Sequence, residues 1–374
     1  MKKMSLLFVD DEAGQQDLFE SAVQDWNARN HGSGREFRYE LAGDVEQAEE
    51  ALAYKRFDGA LFDLRVKRSA ANGGRAEPAG NELARIALRE RGIPVAIITA
   101  DETALEKDIR ETGKVEVFDK NAANNERGNP YDNAIEWFST HWTMMDVLRS
   151  SRLKIEGLAA DIFLKRLWPR WELFTDMQGD DGRALIEIIA RQYASHIADH
   201  LGLDKPENVT WHPFENYVHP ALITDRAHTG DIFLMNEELW VVLTPQCDMA
   251  TGKVPNILLA KCARGAEKWA DNIKMLREAE SKSKKKDAQL FFRDHVNQNI
   301  GSAKHFLPPL PGESEPLIVQ FSNIMTIGIK DLNGNLGARV ATIASPFLSN
   351  IVQRFGAHIS RTGQPNIDVN RFID

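Results

Sequence analysis

Acidic side chains follow two apolar runs in the first third of the sequence. The run at residues 6–9 leads into Asp10 and Asp11, and the run at residues 60–62 leads into Asp63. Carboxylates held a few ångströms apart repel one another unless a cation lies among them, and a hard divalent ion with oxygen ligands meets that need. Mg²⁺ takes one or two carboxylates together with waters and phosphate oxygens. The pattern therefore predicts that Asp11 and Asp63 hold Mg²⁺ directly and that Asp10 acts through a water molecule.

Two further apolar runs end in polar residues that can bind an anion. Residues 94–98 lead into Thr99, and residues 115–118 lead through Asp119 to Lys120. The carboxyl ends of parallel strands meet at one edge of a sheet, where ligands bind in open α/β folds. We therefore expect these side chains beside the carboxylates, with lysine supplying a compact positive charge and threonine a hydrogen bond.

The elements that position these residues alternate between strands and helices. Continuous apolar runs predict buried parallel strands, and apolar residues at helical spacing, such as Phe19 and Trp26, predict amphipathic helices between them. A fifth helix is expected to begin near Tyr131 and to continue through Trp142 to about Arg149. The predicted fold class is α/β, with a doubly wound, five-stranded parallel sheet. The helices are predicted at residues 13–29, 44–55, 80–91, 103–112 and 131–149.

Together these residues resemble the receiver domain of two-component response regulators over about residues 1–145. That family carries an acidic pair after its first strand, a phosphoacceptor aspartate after the third, threonine or serine after the fourth and lysine after the fifth. The resemblance implies a flavodoxin-like fold, Mg²⁺ as cofactor, and a histidine kinase or phosphotransfer protein as partner. It implies that Asp63 accepts the phosphoryl group and that Lys120 and Thr99 bind its oxygens. It also implies the backbone carbonyl of Arg65 as a further ligand of the metal.

The sequence departs from that family in three places. Asn121 follows the lysine where proline is usual, so we expect a trans peptide bond between Lys120 and Asn121. Val117 stands at the position of the aromatic residue that rotates inward on activation. The loop after Asp63 carries a basic, glycine-rich insertion at residues 66–79. This insertion is either a lid or docking surface beside the site, or a tolerated surface insertion.

A pair of charged residues is expected to flank the phosphoryl site. Arg65 lies two positions after Asp63, and Asp101 lies two positions after Thr99. The hypothesis is that Arg65 and Asp101 form an ion pair over the site, hinder the attacking water and prolong the phosphorylated state.

Composition limits the class of protein. The 374 residues are 43% hydrophobic, carry a net charge of −9 and include two cysteines, Cys247 and Cys262. The length predicts more than one domain, and so few cysteines fit a reducing compartment. No run approaches the roughly 18 apolar residues of a membrane span, and the N-terminus enters the first strand directly. We therefore expect a protein of the bacterial cytoplasm. Its charge neither requires nor excludes nucleic acid as a partner, and a homodimer stays open.

Three segments are predicted along the chain. A receiver at residues 1–145 is followed by a helical linker or bundle at 146–205 and by a β-rich, barrel-like output domain at 206–374. A Lys-rich helical insertion at about residues 267–299 interrupts the output domain. Its strands are predicted at residues 231–234, 239–243, 257–259, 318–321, 324–327 and 338–343.

The candidate output site consists of Cys247 and Asp248, which follow a very apolar run. A nucleophilic cysteine needs a histidine nearby, whereas the alternative is a small buried thiol beside a turn aspartate.

The first interpretation of the whole chain is a phosphorylation-controlled response regulator whose output domain, without a helix-turn-helix pattern, binds a partner. Beyond phosphotransfer to its own aspartate, it is not expected to be an enzyme. The alternative is a receiver-controlled effector enzyme, such as a nuclease of bacterial antiviral defence. A third interpretation makes the receiver a phosphate-independent dimerisation module.

Overall fold

The computed structural model describes residues 1–69, 77–113, 115–121, 129–175, 183–202, 211–362, 368 and 371. The chain divides into two compact units, Met1–His200 and Leu201–Asp374. The division between them falls inside the segment predicted to be a linker, residues 146–205. The three predicted segments, with boundaries at residues 145 and 205, stay a prediction.

The N-terminal unit is built on a parallel sheet of five strands. They are β1 (Lys2–Val9), β2 (Arg35–Ala42), β3 (Gly59–Asp63), β4 (Val95–Thr99) and β5 (Glu116–Asp119). The strand order is β2-β1-β3-β4-β5, and every neighbouring pair is parallel. This is the flavodoxin-type order, whose switch point lies between β1 and β3. The predicted α/β class and doubly wound topology are confirmed.

Helices follow these strands in sequence. They are α1 (Ala13–Arg29), α2 (Val45–Tyr54), α3 (Gly80–Arg85), α4 (Lys107–Arg110), α5 (Pro130–Thr140), α6 (Trp142–Ile162), α7 (Trp171–Thr175) and α8 (Arg183–Gly202). Helix α3 continues as a π-helical segment, Ile86–Arg91. Asp44 caps α2, because its carboxylate accepts the backbone N–H of Gln47 at 2.8 Å.

Both faces of the parallel sheet are buried, which accounts for the continuous apolar runs of its strands. Leu7 and Phe62 pack on one face with side chains of α2 and α3. Phe8 packs on the other face with Phe19 of α1 and Phe138 of α5. The strand ends that carry the polar residues are thereby held between two helical layers.

The helix predicted at residues 103–112 is wrong in length, because the chain forms a 3₁₀ turn at Glu102–Ala104 and then the four-residue α4. Leu105 is buried with an extended backbone, and the Glu106 amide donates to Asn81 Oδ1 at 3.0 Å. This contact with α3 takes the Glu106 amide out of the helical hydrogen-bond pattern, so the helix begins later than its sequence spacing indicates.

The helix predicted to run from Tyr131 to Arg149 is interrupted at His141, where α5 ends and α6 begins. The backbone of His141 is not helical, with φ −91° and ψ 6°. The following Trp142 is buried and stacks on Trp26 of α1, with ring centroids 6.1 Å apart. The break is where the chain turns Trp142 into the core.

The C-terminal unit holds a curled antiparallel sheet of seven strands that resembles half of a barrel. Its strands are β6 (Tyr217–Val218), β7 (Asp231–Met235), β8 (Glu238–Val242), β9 (Asn256–Arg264), β10 (Lys304–Leu307), β11 (Leu317–Gly328) and β12 (Arg339–Ile343). Their order is β10-β11-β9-β8-β7-β12-β6. The predicted β-rich, barrel-like fold is confirmed. Two predicted strands are in fact one, β11, whose register shifts between Gln320 and Ile324.

Helices connect and cover this second sheet. They are α9 (Gln246–Thr251), α10 (Trp269–Glu278), α11 (Lys282–Val296), α12 (Ile329–Asn333) and α13 (Ser345–Ile359). Helices α10 and α11 occupy the range where the Lys-rich helical insertion is predicted. Across the described parts of both units, no helix combines the length and the apolar character that crossing a membrane would require.

Candidate functional site

Four strands of the parallel sheet end at the same edge, and each brings one polar side chain there. Asp10 directly follows β1, Asp63 ends β3, Thr99 ends β4, and Lys120 directly follows β5. Asp10, Asp63 and Thr99 are buried, and the side chain of Lys120 is 12% exposed. The predicted meeting of these residues at one sheet edge follows from the parallel topology.

Three carboxylates form the acidic part of this site. One oxygen each of Asp10, Asp11 and Asp63 lies within 4.8 Å of the others, a spacing at which they are able to hold a metal ion. Backbone amides hold two of these carboxylates in place. Asp10 Oδ1 accepts the amide of Glu12 at 3.0 Å, and Asp63 Oδ1 accepts the amide of Arg65 at 3.3 Å.

Lys120 ties two of these carboxylates together. Its Nζ donates to Asp10 Oδ2 and to Asp63 Oδ2, each at 2.7 Å. Both bonds are charge-assisted and largely shielded from water, so they are stronger than an exposed ion pair. A single ammonium group therefore fixes the separation of the carboxylates that follow β1 and β3.

Burial shapes the protonation of this group of residues. It raises the pKa of Asp10 to about 6, although the hydrogen bond and charge of Lys120 act in the opposite direction. The pKa of Asp63 is raised for the same reason. Burial alone would lower the pKa of Lys120, but its hydrogen bonds to Asp10 and Asp63 outweigh that effect and raise it. The lysine therefore stays charged where the aspartates are prone to protonation.

An ion pair flanks the buried cluster. Arg65 Nη2 lies 3.2 Å from Asp101 Oδ2, so the predicted pair between these two residues is confirmed. The Asp101 amide donates to Thr99 Oγ1 at 3.2 Å, which ties the pair to the end of β4. Hydrogen bonds from Thr103, and then from Arg65, lower the pKa of Asp101. The metal-ligand role of the Arg65 carbonyl stays a prediction.

The structure shows the backbone and packing at two positions, Asn121 and Val117, where the sequence departs from the receiver pattern. Cis peptide bonds in the described residues are confined to His219–Pro220, so the bond between Lys120 and Asn121 is trans, as expected. The amide of Asn121 donates to Asp119 Oδ1 at 2.8 Å. Val117 is partly buried and packs on the face of the sheet that carries α2 and α3, in the place where an aromatic residue is usual.

A second lysine, not predicted from the sequence, also lies in the site. Lys67, from the insertion at residues 66–79, places its Nζ 2.8 Å from Asp11 Oδ2. The sequence signal was the basic character of the insertion, but its folding back onto the acidic residues could not be deduced from composition. Residues 70–76 of the insertion lie outside the described residues.

A buried tyrosine also borders the site without having been predicted. Tyr131, at the start of α5, is 1% exposed, and its hydroxyl donates to Gln15 Oε1 at 2.6 Å. Burial, followed by the negative charges of Asp10 and Asp63, raises the pKa of Tyr131. The sequence marks Tyr131 only as a helix start, because its neighbours come from a distant part of the chain.

The candidate output residues lie in the C-terminal unit, on α9. Cys247 is exposed, and its Sγ is 3.9 Å from Asp248 Oδ1. The buried-thiol interpretation of Cys247 is therefore wrong, because a helix after the strand turns the side chain outward; the buried thiol is Cys262. His228 Nε2 lies 3.0 Å from the amide nitrogen of the neighbouring Gln246 side chain. An output role for Cys247 and Asp248, and the effector-enzyme alternative, stay predictions.

Comparison with solved structures gives similar proteins for the N-terminal part of the chain. A CheY-like receiver domain from Methanospirillum hungatei JF-1 shares 18% identity, with a TM-score of 0.27, over 39% of this chain and 98% of its own. Response regulator protein TrrA from Thermotoga maritima, in complex with Mg²⁺ and BeF, shares 20% identity over 31% and 85% of the two chains, with a TM-score of 0.23. The receiver domain of sensor histidine kinase PA1611 from Pseudomonas aeruginosa PAO1 holds a magnesium ion in its active-site cleft. It shares 20% identity over 32% and 86% of the two chains, with a TM-score of 0.23.

No protein-family model matches the chain, and no curated protein matches it. The similarity to receiver domains that the sequence predicts is confirmed for the N-terminal part of the chain. At these identities and TM-scores, similarity alone says nothing about function, and the flavodoxin-type fold rests on the strand order. The chain is thus similar to receiver domains where its acidic site lies.

Proposed function

We propose that the N-terminal unit is the receiver of a two-component response regulator, and that Asp63 accepts a phosphoryl group. The observation that carries the proposal is the contact of one lysine, Lys120, with both Asp10 and Asp63 at 2.7 Å, beside a third carboxylate on Asp11. This combination offers a nucleophilic oxygen, a cation site and an anion-binding ammonium group within one pocket.

The residues present fit a hard divalent cation, for which Mg²⁺ is the candidate. Ligand oxygens of three carboxylates lie within 4.8 Å of one another, and hard oxygen ligands are those that such an ion prefers. Asp11 and Asp63 would hold the ion directly, the carbonyl of Arg65 would complete the protein ligands, and Asp10 would act through water. When bound, the ion neutralises charge between the incoming phosphoryl group and the carboxylate.

Asp63 supplies the attacking oxygen in the transfer. A phosphohistidine on a kinase or phosphotransfer protein is the donor. The new O–P bond to Asp63 forms as the N–P bond of the donor breaks, and the imidazole nitrogen keeps the electron pair and takes up a proton. Lys120 holds a positive charge for the phosphoryl oxygens, which balances the negative charge that arrives with them.

Thr99 and the charged residues around it respond to the new group. The Thr99 hydroxyl, which now accepts the amide of Asp101, is free to donate its own hydrogen to a phosphoryl oxygen. Such a bond would draw the loop after β4 toward Asp63, a local change in charge that biases a two-state loop. Val117 supplies no aromatic ring for the usual readout, so this loop is the element that carries the signal.

The remainder of the chain is assigned as linker and output. We assign residues 146–205 to a helical linker and residues 206–374 to a β-rich output domain that binds a partner, in a protein of the bacterial cytoplasm. The partners upstream are a histidine kinase or a phosphotransfer protein. Support for this assignment comes from the separation of the chain into two compact units and from the second, antiparallel sheet.

The test is the mass of the intact protein after incubation with Mg²⁺ and a small phosphodonor such as acetyl phosphate. The parent protein should gain one phosphoryl group, and removal of Mg²⁺ with EDTA should prevent the gain. Asp63→Asn should gain nothing. Asp108→Asn, which changes an exposed carboxylate paired with Arg85, is the matched control and should react like the parent. No gain in the parent, or equal gain in Asp63→Asn, contradicts the proposal.

A further inference from the structure

Lys67 stands at the acidic site on a part of the chain that the receiver pattern does not include. Its Nζ lies 2.8 Å from Asp11 Oδ2, and the side chain of Asp11 is only 10% exposed. Lys120 serves Asp10 and Asp63, so each of the three carboxylates already has an ammonium group against one oxygen. Three negative groups thus face two positive ones before any ion enters.

A backbone bridge at the base of the insertion holds the residue before Lys67 in place. Val66 is fully buried, and it exchanges two backbone hydrogen bonds with Glu77, at 3.0 and 3.2 Å. This antiparallel bridge closes the insertion at its base, directly before Lys67. The position of the Lys67 backbone is therefore set by packing and pairing rather than by a free loop.

The N-terminus of α2 holds the carbonyl groups of Lys67 and of the residue after it. The backbone amides of Val45 and Glu46 donate to the carbonyls of Lys67 and Arg68, at 3.0 and 3.2 Å. These are first-turn amides of α2, which have no partner inside the helix. The insertion thus caps α2 while it directs Lys67 toward Asp11, and backbone hydrogen bonds hold the Lys67 main chain on both sides.

An ion at Asp11 and the ammonium group of Lys67 compete for the same carboxylate. A divalent cation that binds Asp11 directly needs negative charge and lone pairs of this group, and Lys67 already contacts its Oδ2. A lysine ammonium group is charged at neutral pH, so Lys67 repels an arriving cation. Because the Lys67 side chain is 42% exposed, its ammonium group can move into water once it is displaced.

We propose that Lys67 is a built-in competitor of the divalent cation at Asp11 and sets the cation affinity of the site. The inference rests on the proposed cation site. The insertion then has a defined role: it supplies a residue that keeps Asp11 paired with a positive charge without metal, and it makes cation binding depend on the release of Lys67. The specificity of the site shifts toward ions of charge two or more, since a monovalent ion gains nothing over an ammonium group.

The experiment is a titration of the full chain with Mn²⁺ at pH 8 and low salt, in which the free ion is followed by electron paramagnetic resonance. Lys67→Met removes the charge and keeps the length, and it should bind Mn²⁺ about three- to tenfold more tightly than the parent. Lys67→Arg should bind like the parent. Lys55→Met is the matched control, because it removes an exposed lysine that pairs with Glu40 at 2.6 Å, away from the cluster; its affinity should not change.

The outcomes separate this inference from the proposed function. If the parent binds Mn²⁺ and Asp11→Asn loses binding, while Lys67→Met binds no more tightly than the parent, the cation site stands and the role of Lys67 is wrong. If only Lys67→Met binds, Lys67 masks the site and the inference is supported. If neither binds, both the cation site and the competition are wrong. Lys67→Gln, read against the circular dichroism of each variant, repeats the test with a polar side chain.

Discussion

The ammonium group of Lys120 lies 2.7 Å from Oδ2 of Asp10. The two residues are separated by 110 positions in the chain and meet because β1 and β5 point toward the same edge of the sheet. Asp10 is fully buried, and burial raises its pKa to about 6 even with Lys120 beside it. The site therefore contains a carboxylate that gains or loses its proton close to neutral pH.

Cation affinity is expected to fall as pH falls through the pKa of Asp10. The ion needs the carboxylate of Asp10 in its ionised form. Below pH 6 a proton therefore competes with the ion for this group, and binding of the ion releases that proton. Mn²⁺ should bind about tenfold more weakly at pH 5 than at pH 7.5. Asp10→Asn should bind weakly at both values. Asp58→Asn, which alters another carboxyl with a burial-raised pKa outside the cluster, should keep the dependence. An affinity that is flat from pH 5 to 7.5 in the parent contradicts the assignment.

The ion pair between Arg65 and Asp101 is expected to slow hydrolysis of the phosphorylated form. The pair, at 3.2 Å, joins two residues whose amides donate to Asp63 Oδ1 and Thr99 Oγ1, so its loss should admit water more readily. Arg65→Ala and Asp101→Ala should each lose the phosphoryl group about two- to fivefold faster, a modest effect because both side chains are exposed. The double variant should be no faster than either single one, since the two residues act as a pair. Arg89→Ala, on another exposed pair, is the control, and parental rates in all variants would exclude the role.

The close approach of Gly80, at the start of α3, to the end of β3 leaves no room for a side chain. A Cβ at Gly80 would overlap the carbonyl oxygen of Asp63 and lie 2.7 Å from the Cα of Leu64. Gly80→Ala should lower the free energy of unfolding by about 1–3 kcal/mol and slow phosphorylation, because the backbone of Asp63 must shift. Gly157→Ala, in open space on α6, should instead raise stability by about 0.5–1 kcal/mol. Urea unfolding measures both, and equal effects of the two substitutions would contradict the packing argument.

His305 makes the C-terminal unit sensitive to acid. It is 3% exposed, and burial lowers its pKa to about 3, with the charge of Arg354 adding to the effect. Below pH 6.5 this histidine binds a proton in the unfolded chain but stays neutral in the folded chain. The free energy of unfolding therefore falls as pH falls, by about 2 kcal/mol at pH 5. His305→Leu should unfold at a temperature that changes less between pH 7.5 and pH 5 than the parent. A variant with the full acid sensitivity of the parent would show that another group is responsible.

The parallel sheet and its acidic edge could be predicted from the sequence because their signal is local. Each strand is a short, mainly apolar run, and each site residue lies within two positions of the end of its run, as Asp63 and Lys120 do. Parallel topology then brings those ends together without further information. The same reasoning identified Arg65 and Asp101, since both lie two positions after a residue of the site.

Features that depend on contacts between distant segments could not be predicted. The short α4 depends on the hydrogen bond from the Glu106 amide to Asn81, and neither residue signals it. The two-residue strand β6 carries too little pattern to be recognised. The position of Lys67 depends on a bridge between Val66 and Glu77 that closes the insertion. In each case the tertiary partner, and not the local sequence, determines the structure.

The decisive experiment is to identify the residue that carries the phosphoryl group. After reaction with a small phosphodonor and Mg²⁺, an aspartyl phosphate is reduced by borohydride to homoserine, which peptide mass mapping locates in the chain. We expect homoserine at position 63, dependent on the phosphodonor and absent in Lys120→Met. Homoserine at another aspartate, or none in a folded parent protein, would contradict it.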